Sequence, residues 1–285
     1  MPYVSFLSDY GLFDGFVAAC HGVLLCRAPG VRIIDVTHLV PAGDVRRGSV
    51  VLAQTLGHLP PAVHLAVVDP GVGTSRRAVA VATPRGFLVG PDNGLLPPAA
   101  DALGGVRSVV ALAVPAEVPA TFHGRDVFAP AAAALVAGHD LAALGAPVDP
   151  AGLVRLPAPV MRPARPAVSG AASPTAVEIE VLTIDTFGNV QLAAAADLLA
   201  PAGVAPGRTI EITAGRSVAT GLFGITFASV DPGEIVVYVD SAGLVTLAVN
   251  RGSAAQRLSV TTGDIVRLAV ADGDISTAAG GAKNR

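Results

Sequence analysis

Two acids stand where apolar runs stop, at the carboxyl ends of strands, which is where an open α/β sheet meets its ligands. They are Asp9, after Tyr3–Leu7 and Ser8, and Asp69, after Val63–Val68. Either alone is equally well a helix cap or a turn former. Asp69 stands out by its setting, because Asp69-Pro70-Gly71-Val72-Gly73-Thr74-Ser75-Arg76-Arg77 puts two glycines and an arginine pair directly after a buried strand. Glycines let backbone approach a ligand, and an arginine fork orients a carboxylate. The spacing matches neither common phosphate-loop pattern. Thr121-Phe122-His123-Gly124-Arg125-Asp126 places a histidine where a helix opens, facing the same cleft. Asp185-Thr186-Phe187-Gly188-Asn189 ends a later strand with a carboxylate, an aromatic face and an amide. A turn accounts for Asp, Gly and Asn there but not for the phenylalanine between them. No Cys/His cluster has metal-ligand spacing, so no metal is expected, and no G-x-S-x-G elbow is present. On residue chemistry alone, the reading stops at a binder of a small polar molecule, such as a nucleoside, between two domains.

The elements that must position these residues fall into two patterns. Tyr3–Leu7, Val31–Val36, Val63–Val68, Ala78–Ala82 with Phe87–Val89, and Ser108–Val114 read as strands. They alternate with helical spacing from Phe16 (capped by Asp14), over Asp44–Leu56 and over Arg125–Ala137. This alternation predicts a Rossmann-like α/β domain over 1–156, a mostly parallel sheet with helices on both faces. Residues 157–175 are rich in proline and aperiodic, a linker. Val177–Ile184, Thr209–Thr213, Ile235–Val239, Leu244–Val249 and Asp264–Val270 are short runs broken by Gly, Asp and Ser. They predict an antiparallel barrel or sandwich over 176–275, with 276–285 a frayed tail.

Composition narrows the function classes. The 285 residues are 52% apolar and 14% charged, which excludes a disordered chain. The longest apolar stretch, Val127–Gly138, is well short of the roughly 18 residues a membrane span needs. A net charge of −3 with no basic run beyond Arg46-Arg47 or Arg76-Arg77 argues against nucleic acid. Cys20 and Cys26 on one helix are about 9 Å apart, too far for a disulfide, and read as two buried thiols. With no signal-peptide pattern at the N-terminus, a cytoplasmic protein without membrane or nucleic-acid partner is expected.

Taken together, six motifs resemble the S-adenosyl-L-methionine hydroxide adenosyltransferase family, relatives of the fluorinase and chlorinase. They are Ser8-Asp9-Tyr10-Gly11, Asp35-Val36-Thr37-His38, Asp69-Pro70-Gly71-Val72-Gly73-Thr74, Pro91-Asp92-Asn93-Gly94-Leu95, Thr121 to Asp126 and Asp185 to Asn189. They run in order from about residue 3 to residue 270. The resemblance implies an α/β N-terminal domain and an all-β C-terminal barrel. It also implies a homotrimer with sites at subunit interfaces, and displacement of methionine from the ribose C5′ of S-adenosylmethionine by water or hydroxide. No cofactor is implied. Asp69, Arg76 and His123 would be the catalytic residues. Asp9 would accept from the ribose hydroxyls, Asp185 would meet the methionine ammonium and Ser241 its carboxylate. Asn189 and the backbone near Arg251 would read the adenine edge, Phe187 would pack on the ring, and Phe227 would wall the methionine.

Departures from the halogenating branch bear on the reaction. That branch has a tyrosine at the Asp69 position, and the fluorinase has a serine where Gly124 stands. A fixed carboxylate repels a halide, so hydrolysis is favoured over a chlorinase-like halide transfer. Gly43 stands where relatives carry a ribose-packing aromatic, and Ala242 where the fluorinase has an arginine. The reading from a different class is a non-catalytic binder of adenosine or S-adenosylmethionine.

Overall fold

The computed structural model describes residues 2–164 and 176–271, and the chain divides into two compact units, 1–157 and 158–285. In the first, seven strands form one sheet: β1 (Tyr3–Ser8), β2 (Arg32–Thr37), β3 (Ala62–Val67), β4 (Ala78–Thr83), β5 (Gly86–Pro91), β6 (Ser108–Leu112) and β7 (Gly145–Val148). Their order is β2-β1-β3-β5-β4-β6-β7. The first four strands in that order run parallel, whereas β4, β6 and β7 pair antiparallel. The sheet is therefore parallel only across the half that carries Asp9 and Asp69; the tight β4–β5 hairpin turns the remainder over. Helices α1 (Phe16–Arg27) and α4 (Ala129–Val136) cover one face, and α2 (Val45–Leu56) and α3 (Pro97–Ala102) the other. Strand β3 is buried along its whole length, as the centre of a doubly covered sheet requires.

Several local expectations change. Asp14 does not cap α1; Gly15 occupies that position with no side-chain bond. Asp44 does cap α2, accepting from the Arg47 N–H at 2.8 Å. The helix expected from Arg125 opens as one π-turn over Gly124–Phe128 before α4 begins. Cys26 is exposed and only Cys20 is buried, because they lie on different faces of α1.

The second unit is a seven-stranded barrel. Strands β9 (Val177–Ile184), β10 (Val190–Ala195), β11 (Thr209–Ala214), β12 (Ser217–Phe223), β13 (Ile235–Val239), β14 (Leu244–Val249) and β15 (Ile265–Val270) close through the β9–β10 pairing. The short helix α5 (Ala254–Leu258) follows β14. Alternation along β9, with Val177, Ile179 and Val181 inward, is the period-2 pattern of a wall with one wet face. Residues Met161–Pro163, inside the stretch expected as linker, form strand β8 on the edge of β9; residues 165–175 of that stretch and the expected tail lie outside the described residues. Among the described residues, no helix is long and apolar enough to cross a membrane.

His64 links fold to pH. It is buried in β3 with Nδ1 2.7 Å from Ser5 Oγ of β1, and Nε2 finds no partner among the described residues. Burial, reinforced by Arg85, pushes its pKa down to about 4. Between an unfolded value near 6.5 and that folded value, the unfolded chain binds a proton that the native chain refuses. Stability therefore falls as pH drops from 6.5 towards 4, by up to about 3 kcal/mol from this residue. Urea denaturation at pH 7 and pH 4 checks this, with a smaller acid loss expected in His64→Gln.

Candidate active site

The loop after β3 is built to present Asp69 and return Arg76 to it. Asn93 fixes the strand end by donating from Nδ2 to the Val68 carbonyl at 2.8 Å. The Val72 N–H then bonds the Asp69 carbonyl at 3.2 Å and the Thr74 N–H bonds that of Gly71 at 3.1 Å. Gly73 sits at φ +78°, and a Cβ there would lie 2.9 Å from the Ala120 carbonyl oxygen. Only glycine suits that conformation and approach, so Gly73 sets the Asp69 loop against the segment leading to His123.

Arg76 joins the two. Its Nε lies 2.8 and 3.0 Å from the two Asp69 carboxylate oxygens, and Nη2 donates to Oδ2 as well. The same Nη2 lies 2.9 Å from His123 Nδ1. The side chains are nearly sealed, Asp69 at 6% and Arg76 at 9% exposure. The guanidinium also lies over the Phe128 ring, 5.2 Å from its centroid. Because a guanidinium only donates, Nδ1 must accept, so the neutral ring carries its proton on Nε2. Burial, followed by the charge of Arg76, lowers the His123 pKa against the opposing pull of Asp69 and Asp126. Arg77 points elsewhere, bonding Asp92 and the Gly152 carbonyl. Only one of the two arginines serves the site.

A cavity of about 140 Å³ opens beside this trio, lined by Asp9, Tyr10, Asp69, Phe122, His123 and Gly124 among others. Asp9 is anchored by the Gly43 N–H, which donates to Oδ2 at 2.8 Å. Gly43 is at φ +72°, a conformation an aromatic residue would hold only with strain. Tyr10, Phe16 and Phe122 line the cavity, their rings 5.3–6.0 Å apart in tilted and edge-to-face contacts. Sequence reasoning missed Tyr10 as a wall residue, although its position next to Asp9 was the available signal. Burial and the nearby Cys20, Asp9 and Asp69 push its phenol strongly upward, so it stays protonated.

The remaining expected residues lie in the barrel unit. Asp185 Oδ1 accepts from the Phe187 and Asn189 N–H groups at 2.9 Å each, and Oδ2 from Asn189 Nδ2 at 2.7 Å. The turn thus uses three of roughly four acceptor positions, leaving one on Oδ2. Phe187 stands 76% exposed at the tip, the feature a turn alone does not explain. Phe227 meets Tyr238 edge-on at 5.3 Å. Ser241 is exposed in the turn after β13, whose carboxylate Asp240 accepts from the Ala242 and Leu244 N–H groups. Arg251 is exposed and one of two non-glycine residues at positive φ among those described.

Models of the S-adenosyl-L-methionine hydroxide adenosyltransferase N-terminal and C-terminal domains match residues 4–145 and 179–267. The chain belongs to that family. It is 55% identical over 271 residues to the (R)-S-adenosyl-L-methionine hydrolase of Salinispora tropica, covering 94% of this chain and 97% of that protein. The hydrolase of the same name from Thermus thermophilus is 45% identical, covering 94% and 100%. The fluorinase of Actinopolyspora mzabensis is 29% identical, covering 94% and 97%. An uncharacterized conserved protein of Thermotoga maritima has a solved structure with a TM-score of 0.81 and 35% identity, over 93% of this chain and 99% of that one.

The Tyr10–Gly124 contact gives a direct test of the cavity wall. A Cβ on Gly124 would fall 1.9 Å from the Tyr10 hydroxyl. Gly124→Ala is expected to lower Tm by roughly 2–10 °C, the scale of about 1–3 kcal/mol of overpacking. Adding Tyr10→Phe removes the clashing oxygen, and thermal melts of the pair are expected to recover most of that loss.

Proposed function

We infer that this adenosyltransferase-family chain hydrolyses S-adenosyl-L-methionine to adenosine and L-methionine. The observation that carries the reading is Asp69 and His123 on the cavity wall, joined by Arg76, which bonds Asp69 and lies against His123 Nδ1. Water oxygen forms a bond to ribose C5′ as the C5′–S bond breaks, and the sulfur keeps the electron pair. The sulfonium leaves as a neutral thioether, so no acid is needed on the leaving group and no cofactor is proposed. What the reaction does require is a water held in line and relieved of a proton. With Nδ1 taken by Arg76, His123 offers its Nε2–H to a water lone pair. Asp69 accepts a water proton and draws it away as the new bond forms. Arg76, doubly bonded to Asp69, keeps that carboxylate aimed and favours developing hydroxide. Asp9, with one oxygen tied to Gly43, offers the other to the ribose hydroxyls.

In this reading Asp185, Ser241, Phe227, Phe187, Asn189 and the Arg251 backbone bind the methionine and adenine ends. The protein acts in the cytoplasm, with no membrane or nucleic-acid partner. The 140 Å³ cavity is smaller than the roughly 300–1,000 Å³ of a typical small-molecule site. That supports a site completed by further groups, which we assign to a neighbouring subunit of the homotrimer that the family resemblance implies. Light scattering coupled to size exclusion is expected to give three times the 28.4 kDa chain mass; a monomer of full activity would overturn the shared site.

The reaction is tested by incubating purified protein with S-adenosylmethionine in water enriched in oxygen-18. Adenosine bearing the heavy oxygen, at a rate unchanged by chloride or fluoride, is the expected product. A 5′-halo-adenosine would instead assign halide transfer, and intact substrate with measurable binding would assign a binder. Asp69→Ala is expected to lose at least about 100-fold in rate, the scale of a lost positioned base.

A further inference from the structure

Outside the residues that line the cavity, His21 of α1, Asp35 of β2 and His38 just beyond β2 converge. Their ligand atoms lie within 4.8 Å of one another. His21 Nε2 is 2.9 Å and His38 Nε2 3.0 Å from the same oxygen, Asp35 Oδ1. His38 is 4% exposed, and its Nε2 is buried without the alignment of a hydrogen bond to Asp35 or to any other described residue. Its other nitrogen, Nδ1, is 2.7 Å from Ser8 Oγ. Two donor atoms about 2.0–2.2 Å from a shared zinc, at angles of 90–110°, stand roughly 3–3.5 Å apart. The two imidazole–carboxylate separations have that size or fall just below it. A metal-bound histidine usually donates its second ring nitrogen to an oxygen acceptor that orients the ring, and Ser8 Oγ takes that place here.

We propose that His21, Asp35 and His38 bind one divalent transition ion, of the zinc and cobalt class that imidazole and carboxylate donors select, with water completing its shell. The site clamps the substrate loop. His38 holds that loop twice, through Ser8 Oγ, which also receives the Tyr10 N–H at 3.3 Å, and through its carbonyl, which receives the Gly11 N–H at 2.7 Å. Fixing His38 therefore fixes the segment carrying Asp9 and Tyr10. This holds whatever reaction the cavity performs. Sequence spacing hid the site, because the three residues are 14 and 3 positions apart on a helix and beside a strand.

Tag-free, chelator-treated protein is titrated with Co²⁺ by visible absorption and with Zn²⁺ by calorimetry. The expected result is one ion per chain at micromolar affinity, with slower amide exchange at residues 9–11 once Zn²⁺ is bound. His21→Ala, on a half-exposed face of α1, and Asp35→Asn are each expected to weaken binding at least tenfold. Cys26→Ser, removing the exposed thiol, is expected to leave it unchanged. Absence of binding below millimolar concentration, or binding that survives both His21→Ala and Asp35→Asn, overturns the site. Binding without protection of residues 9–11 overturns the clamp.

Discussion

A guanidinium taken almost wholly out of water must find acceptors for its charge, and Arg76 finds them in both oxygens of Asp69. Burying such a pair costs several kcal/mol per ion unless the geometry is close to ideal. The neighbouring structure is arranged around that pairing, although Arg76 Nη1 is buried with no hydrogen-bond partner among the described residues. The loop from Asp69 must reverse within seven residues to bring Arg76 back, and it does so through the Gly71–Thr74 turn. It must also press against the Ala120 backbone, which only Gly73 permits. His123 then arrives next to the same Nη2, and its tautomer is decided by a residue 47 positions away. Charge pairing, loop shape and proton placement are thus one constraint.

The barrel unit meets a different demand. Its Asp185 turn satisfies itself internally, holding Asn189 and lifting Phe187 clear of the surface. Gly188, at φ +80°, lets Ser253 come within 2.1 Å of where a Cβ would stand. Such a turn needs no ligand to keep its shape. An exposed aromatic ring held on a rigid base loses little freedom when it packs on a partner.

Much of this was legible in the residues. Apolar runs ending in acid located β1 and β3, and the glycine-arginine loop singled out Asp69. What escaped the sequence depended on tertiary context. Strand β10 is half alanine and β12 carries Gly221, so neither has the β-branched density that marks a strand. Helix α3 is a six-residue turn beginning in two prolines. Nothing in Arg76-Arg77 says which arginine faces the site, because that choice is made by Asp92 and Gly152, far along the chain. Asp185 showed the opposite limit. Its residue type fits an ammonium ligand, yet most of its acceptor capacity belongs to its own turn.

The near-contact of Tyr10 with Gly124 also bears on how such chains diverge. Because the phenol fills the volume a side chain at 124 would need, the two positions form a single steric unit read from distant parts of the gene. A lineage acquiring any larger residue at 124 must first, or simultaneously, shrink or swing the ring at 10. Each single step is penalised while the double step is open. Such epistasis makes the route between neighbouring chemistries on this scaffold depend on the order of substitution, and not only on which residues finally line the pocket.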